Sequence, residues 1–202
     1  MTTSRRRPKH DPKESEREIL NAAEKFLNER PFRELNIDEV MRFTGLKRPA
    51  FYVHFRDKHD LILKLVQTIG KELFNIAEGW LDVNNSEMDL RRAIVDTVDV
   101  YMQHGRVLRA FVEAASGDER VNQIYRSLIQ EFITAAAQHI RNEQIAGRIK
   151  KDFDVEETAR ALIWLEERYL FEVFGHSDPI DSELIIRVLQ NIWISTLYGI
   201  VQ

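Results

Sequence analysis

The chain of 202 residues is 44% hydrophobic and 31% charged, which is enough apolar material for a core in one or two small domains. It contains no cysteine, so disulfide bonds and thiolate metal sites are excluded. No apolar run is long enough to span a bilayer, and no apolar stretch follows the basic N-terminus. We therefore expect a cytoplasmic protein with no membrane association.

Charge is distributed unevenly along the chain. The formal net charge is −4, yet residues 1–60 contain 14 Lys and Arg against 11 Asp and Glu residues. The acidic excess therefore belongs to the remaining residues. A basic N-terminal unit on an acidic body directs the first part toward phosphate groups.

Residues 1–14 are predicted to form a basic, flexible arm, and two interpretations of it stay open. The arm contains Arg5, Arg6 and Arg7. It is either a solvated tail or a segment that follows phosphates or enters the minor groove beside a DNA-binding unit. A first helix is predicted over residues 15–30, with Ile19 and Phe26 among its inward positions.

A helix, a tight turn and a second short helix are predicted between residues 36 and 55. Asn36 has the side chain of a helix cap, and Glu39 is placed to bond back to it. Gly45 suits the left-handed turn that ends the first helix, and Pro49 suits the opening turn of the second. The inward apolar positions are Ile37, Val40, Met41, Phe51 and Phe55. Such a helix pair with a basic outer face is typical of a unit that enters the DNA major groove.

This unit resembles the helix-turn-helix of the tetracycline-repressor (TetR) family. The resemblance rests on the run Gly45-Leu46-Lys47-Arg48-Pro49-Ala50-Phe51-Tyr52-Val53-His54-Phe55, followed by Lys58 and Leu61. One departure is Lys47, which stands where a small capping residue such as serine is common in the family. We expect either a less firmly started recognition helix or a lysine that contacts DNA.

Arg48 is the predicted base contact, because a guanidinium group matches the guanine edge bidentately. The resemblance implies phosphate contacts for Tyr52, His54 and Lys58. Each of these residues, taken alone, could be an ordinary exposed polar side chain. The full predicted DNA-binding set is Asn36, Lys47, Arg48, Pro49, Ala50, Tyr52, Val53, His54, Lys58, Arg5, Arg6 and Arg7.

Helical periodicity continues to the end of the chain, with no strand pattern and no repeat. A fourth, long helix is predicted from Asp57 to about residue 81, with a domain boundary inside it. We therefore assign residues 15–70 to a DNA-binding domain and residues 71–202 to a helical ligand-binding and dimerisation domain. Further helices are predicted over 87–104, 106–115, 118–147, 154–175 and 182–198, the first of them ended by Gly105. The predicted fold class is all-α, with about nine helices.

The last predicted helix is apolar over too wide an arc for one packing contact. Its apolar positions include Leu184, Val188, Ile192 and Trp193. One side can pack inside the subunit and the other against a second subunit. The resemblance implies a homodimer in which the last two helices of each chain form a four-helix bundle.

The helix before it carries a carboxylate within an apolar stripe. Glu166 lies among Leu162, Ile163 and Leu170 at helical spacing. Either this carboxylate reaches the rim or pairs with an arginine, or it is a polar anchor inside an apolar ligand pocket.

The second half of the chain also resembles the ethionamide-resistance repressor branch of the family. The matching runs are Leu165-Glu166-Glu167-Arg168-Tyr169-Leu170-Phe171 and Ile192-Trp193-Ile194-Ser195-Thr196-Leu197-Tyr198-Gly199. The resemblance implies that Glu166 replaces an asparagine of a ligand tunnel. The predicted ligand-binding set is Glu166, Ile163, Phe171, Trp193, Tyr125, Phe132, Leu162 and Leu170.

Motifs of common enzymes were not found: the chain has no glycine-rich phosphate loop, no Gly-x-Ser-x-Gly elbow and no His-Glu-x-x-His. We expect no cofactor and no metal. The predicted function is a dimeric repressor that binds double-stranded, palindromic operator DNA and is released by a small hydrophobic effector. The alternatives are an activator, a regulator without a small ligand, and an architectural DNA-binding protein.

Overall fold

The computed structural model describes residues 11–81, 86–149, 152–176 and 181–199. Arg5, Arg6 and Arg7 of the predicted basic arm lie outside the described residues, whereas residues 12–14, which were assigned to the arm, belong to α1. In the described ranges the chain forms eight α-helices and one short 3-10 helix, and no strand. The all-α prediction is thus confirmed. The helices are α1 Pro12–Leu27, α2 Ile37–Arg42, α3 Arg48–His54, α4 Lys58–Leu81, α5 Ser86–Gly117, α6 Glu119–Ile145, α7 Val155–Phe174 and α8 Ser182–Tyr198, and the 3-10 helix is Phe32–Glu34.

Side-chain caps fix where most of these helices begin. Asn36 accepts a hydrogen bond from the backbone N–H of Asp38, as predicted. Asp118 and Asp154 cap α6 and α7 in the same way, and Asp57 accepts from the backbone of Asp60 at the start of α4. Helix α1 begins three residues before the predicted Ser15, because Asp11 caps it and Pro12 occupies its first position.

Two predictions for the turn between α2 and α3 and its flanking residues are wrong. Glu39 does not bond back to Asn36; its carboxylate pairs with Arg30 and Arg42 instead. The backbone of Gly45 does not have the positive φ of the left-handed region. Among the described glycines, Gly147 and Gly199 have it. The backbone N–H of Gly45 donates to Glu18 of α1, so the turn is held by a contact with a third helix.

Helix α5 runs unbroken through Gly105, where the sequence predicted a helix end. This accounts for eight α-helices where about nine were predicted. A Cβ atom at Gly105 would lie 2.6 Å from the carbonyl oxygen of Phe174 and 2.7 Å from its Cβ. The glycine is therefore needed for the close approach of α5 to α7, and not for a turn.

Apolar side chains form two clusters that meet along α4 and α5. The first joins α1–α4 to the later turns of α5, including Val107 and Phe111. The second lies among α5, α6, α7 and α8, and centres on residues such as Leu170 and Trp193. Leu73 of α4 packs against both clusters. Because the packing is close, a displacement of side chains in one cluster is transmitted to the other. The assignment of residues 15–70 and 71–202 to two domains stays a prediction.

Candidate functional sites: a helix-turn-helix surface and an apolar cavity

Helix α3 presents most of its predicted DNA-binding residues to solvent. Phe51 and Phe55 anchor it from below, with ring centroids 5.3 Å apart and both side chains buried. Val53 is 75% exposed and Tyr52 50% exposed. The other members of the set are exposed at Asn36, Lys47, Arg48 and Pro49 and half-buried at Ala50, His54 and Lys58. An exposed aliphatic and aromatic face flanked by cations is suited to base edges and phosphates.

The Arg48 side chain pairs with a carboxylate of α2, on the other side of the turn. Its Nη1 lies 2.6 Å from Asp38 Oδ2 of α2, and its Nη2 donates to the Tyr52 hydroxyl at 3.1 Å. The Asp38 carboxylate and this hydrogen bond hold the guanidinium in one orientation above α3. A base contact by Arg48 must therefore exchange or share the Asp38 partner.

Lys47 and Lys58 differ in how freely they can meet a phosphate. Lys47 precedes α3 with an exposed side chain, so its ammonium group can reach a phosphate. Lys58 instead donates to the carbonyl of Phe32 at 3.4 Å and lies 4.7 Å from the centroid of that ring. The contact of Lys58 with the 3-10 helix was not predictable from periodicity, because it joins residues 26 positions apart.

A cavity of about 150 Å³ lies between α4, α5, α6, α7 and α8. Its walls are mainly aliphatic and aromatic. The structure brings seven of the eight predicted ligand-binding residues to this cavity: Glu166, Ile163, Phe171, Trp193, Tyr125, Phe132 and Leu170. Leu162 is the exception, because it turns into the second apolar cluster and is buried there.

Helix α4 forms one whole wall of the cavity. Its lining residues are Val66, Gly70, Leu73, Ile76 and Ala77. These positions recur at three- and four-residue spacing, so one face of α4 is turned to the cavity over three turns. The same helix begins at Lys58, directly after the recognition helix.

The polar groups of the cavity are mainly on α5, α6 and α7. Glu166 lines the cavity, and burial raises its pKa to about 7 against the opposing effect of the Trp193 side chain. Glu167 accepts a hydrogen bond from the Tyr125 hydroxyl at 3.0 Å. Burial raises the pKa of Glu167 as well, and that of Tyr101 well above its usual value.

Sequence reasoning missed the lining residues of α5 and the second carboxylate of α7. Helix α5 contributes Leu90, Ile94, Thr97, Tyr101 and Leu108, which repeat at helical spacing. This signal was readable in the sequence, but the predicted break at Gly105 divided it. Glu167 could not be separated from a solvated residue by pattern alone, because it lies beside Arg168 and Glu166.

Polar contacts join two parts of the molecule near the start of α4. We call the part from α1 to the first turn of α4 the head, and α5 to α8 the body. Arg120 of α6 lies 3.3 Å from Asp57, and Nδ1 of His59 lies 3.7 Å from Asp118. Hydrogen bonds from the Val121 and Arg120 backbone and the charges of His59 and Arg120 hold the pKa of Asp118 below its usual value. Here the head is attached to the first turn of α6.

A second attachment joins the 3-10 helix and α1 to α5. The backbone N–H of Phe32 donates to Glu113 at 3.1 Å, and Nδ1 of His104 lies 3.2 Å from Glu24. Arg106 donates to the carbonyl of Asn28. The head therefore rests on both α5 and α6, while α4 passes between them to the cavity.

Large apolar side chains remain exposed on the last two helices. Trp164 and Leu165 of α7 and Leu184 of α8 are 38%, 41% and 47% exposed. Both helices pack on α5 with their other faces. The wide apolar arc predicted for α8 is thus divided between a buried face and a partly open one.

The described part of the chain contains no helix long and apolar enough to cross a membrane. Within the same residues, no group of three or more His, Asp or Glu side chains is arranged to hold a metal ion.

Comparison with known proteins gives the family. Residues 19–65 match the family described as bacterial regulatory proteins, tetR family, and residues 90–199 match the C-terminal domain of the transcriptional regulator EthR. The chain is 28% identical over 198 residues to the HTH-type transcriptional regulator EthR of Mycobacterium tuberculosis, covering 96% of this chain and 90% of that protein. It is 23% identical over 173 residues to the uncharacterized regulator YdgC of Bacillus subtilis, covering 82% and 85%.

Two solved structures show the same fold at lower sequence identity. The regulator PfmR of Thermus thermophilus superposes with a TM-score of 0.75 at 18% identity, over 91% of this chain and 99% of that one. NalD of Pseudomonas aeruginosa, described as the secondary repressor of the MexAB-OprM efflux pump, gives 0.77 at 18% identity, over 94% and 98%. With a helix-turn-helix on α2 and α3 and an EthR-type domain matched over α5 to α8, the chain belongs to the TetR family of bacterial transcriptional regulators.

Proposed function

We propose that this regulator is a dimeric repressor that binds a two-fold operator through α3 and is released by a small, mostly apolar effector. The observation that carries the proposal is the shared helix α4. Its first turn follows the recognition helix, and its later turns, from Val66 to Ala77, wall the cavity. Occupancy of the cavity and position of the head therefore depend on the same rigid element.

Release follows from the geometry of α4. An effector that enlarges the cavity pushes the face of α4 that contains Gly70 and Leu73. The start of α4 is held by Arg120 and the head by Glu113, so displacement tilts the head about these contacts. Two recognition helices read half-sites about 34–36 Å apart, and a change of a few ångströms in that spacing removes simultaneous docking.

The exposed apolar residues of α7 and α8 support a dimer. Trp164, Leu165 and Leu184 are large and partly exposed, and such side chains are suited to burial against a second copy of the chain. A two-fold dimer provides two α3 helices, which a palindromic operator requires. Since its partner is chromosomal DNA, the regulator acts in the cytoplasm.

Repression is favoured over activation by two relatives that are described as repressors. NalD is one, and BepR of Brucella suis, 22% identical over 201 residues, is the other. An architectural DNA-binding protein would need no cavity beside α4. The lining of apolar groups around a small number of polar ones is the usual composition of a ligand site.

The proposal is tested by selecting genomic fragments that bind the purified protein and measuring their affinity by fluorescence anisotropy. We expect the bound fragments to share an inverted repeat, to bind one or two dimers, and to be released by apolar compounds that raise the thermal stability of the protein. Selected DNA without two-fold symmetry would contradict dimeric operator binding. Affinity that no stabilising compound changes would favour the architectural alternative.

A further inference from the structure

The cavity is acidic as well as apolar. The consecutive carboxylates Glu166 and Glu167 of α7 line it, and the hydroxyl-bearing Tyr101 and Tyr125 line it from α5 and α6. Among the described residues that line the cavity, none is a lysine, arginine or histidine. The site therefore contains two potential negative charges and no positive charge of its own.

The group beside each carboxylate is neutral. The Trp193 indole opposes the rise in the pKa of Glu166, and the Tyr125 hydroxyl donates to Glu167 at 3.0 Å. The neighbouring Arg168 lowers the pKa of Glu167, but its Nη2 lies 2.5 Å from Glu172 and its side chain is 61% exposed. A neutral donor compensates a buried carboxylate less well than a cation does.

Burial strengthens proton binding by both carboxylates. It raises the pKa of Glu166 to about 7, against the opposing effect of the Trp193 indole. It also raises the pKa of Glu167, against the hydrogen bond from Tyr125 and the charge of Arg168. Near neutral pH the cavity therefore retains a proton that a bound cation would displace.

We infer that the effector is a cationic amine, whose ammonium group is bound by Glu166 and Glu167 and whose apolar body occupies the rest of the cavity. This inference rests on the proposed ligand response. An ammonium group donates up to three hydrogen bonds and supplies the positive charge that the cavity lining lacks. A neutral amide or alcohol supplies a donor but no charge, and an anion is repelled.

The aromatic lining also suits a cation with an apolar body. Ring faces attract a nearby ammonium group, and this attraction is stronger where water is excluded. The Phe111 and Tyr125 rings meet edge to face with centroids 5.8 Å apart, which fixes both in place. The aromatic residues that line the cavity are Tyr101, Phe111, Tyr125, Phe132, Phe171 and Trp193.

Binding of an amine should strengthen as pH rises through about 7, the pKa of Glu166. Below that pH Glu166 is mainly protonated and must release a proton before it pairs with the ammonium group, which stays charged up to about pH 10. The ionisable groups that line the cavity together with this carboxylate are Tyr101 of α5, Tyr125 of α6 and Glu167 of α7. The cavity residues of α4 and α8 are not ionisable.

The test is isothermal titration calorimetry on the full chain with three probes that share one apolar body. The probes are phenylbutylamine, phenylbutanol and phenylbutyrate, and each is titrated into wild type, Glu166→Gln, Glu167→Gln and Glu157→Gln. Glu157 is the matched control, because it lies on the same helix with a side chain 71% exposed. Circular dichroism confirms that each variant keeps its helices, and anisotropy of bound operator gives the release by each probe.

We expect the amine to bind wild type about tenfold or more tightly than the alcohol, and the carboxylate probe to bind weakest. Both cavity variants should lose most of the amine's advantage, whereas Glu157→Gln should keep it. Alcohol binding as tight as amine binding, with operator release by both, overturns the amine inference and leaves the proposed function standing. If none of the three probes binds, the amine inference is overturned, whereas the proposed function is decided by the genomic selection with stabilising compounds.

Discussion

Substitution of Gly105 by alanine is the sharpest stability test of the packing between α5 and α7. An added Cβ would lie 2.6 Å from the carbonyl oxygen of Phe174 and 2.8 Å from its carbonyl carbon. Backbone atoms at such distances cannot be relieved by a side-chain rotation, so the two helices must separate. Overpacking of this kind costs about 2–3 kcal/mol.

The loss is partly offset by helix propensity. Alanine in the interior of a helix is favoured over glycine by about 1 kcal/mol. The net destabilisation of Gly105→Ala is then about 1–2 kcal/mol, which lowers the unfolding temperature of a chain of this size by about 2–8 °C.

Gly79→Ala is the matched control in α4. A Cβ there meets no atom within 4 Å, so only the propensity gain remains and the unfolding temperature should rise. Both variants are measured by circular dichroism during heating, at one protein concentration because a dimer's stability depends on it. If Gly105→Ala is stabilised as much as Gly79→Ala, the close approach of α5 to α7 at Phe174 is wrong.

Two further predictions concern DNA binding and assembly. Arg48→Ala should weaken operator binding about tenfold or more and relax preference at one base position per half-site, whereas Lys47→Ala should weaken all sequences about equally and reduce the salt slope by about one. These effects are measured by anisotropy over a salt series, and an equal loss on operator and random DNA for Arg48→Ala would refute its base-reading role. Leu184→Glu should convert a dimer of twice the 23.8 kDa chain mass into a monomer with lost operator affinity, as measured by light scattering. A wild-type chain that is monomeric at micromolar concentration while binding operator tightly would refute the dimer.

Local sequence signals predicted most of the helices because each signal acts within a few residues. Asn36, Asp118 and Asp154 cap helices through bonds to their own following turns. The bounds of α8, Ser182–Tyr198, were predicted to the residue. The glycine signal failed at Gly105, because a helix interior tolerates glycine and only the proximity of Phe174 reveals its purpose.

Contacts between elements that are distant in the chain could not be predicted from the sequence. The pairing of Arg48 with Asp38 depends on the angle between α2 and α3, and the Phe32 contact with Glu113 joins residues 81 positions apart. Glu166 and Leu162 belong to one apolar stripe of α7, but Glu166 lines the cavity and Leu162 lies in the second apolar cluster. The surface of a helix curves away from a cavity within one turn. Residues of the same apolar stripe, such as Leu162 and Glu166, can therefore face different surroundings.

Under the proposed coupling through α4, occupancy of the cavity sets the separation of the two DNA-binding heads. The chain has no cysteine, so one introduced at the exposed Asn21 of α1 can be spin-labelled without background, and its distance to the partner's label can be measured by electron double resonance. With operator bound, we predict a narrow distance distribution. Saturation with a compound that binds the cavity and releases DNA should shift its centre by several ångströms. An unchanged distribution in the presence of a compound that releases DNA would contradict the proposed coupling through α4.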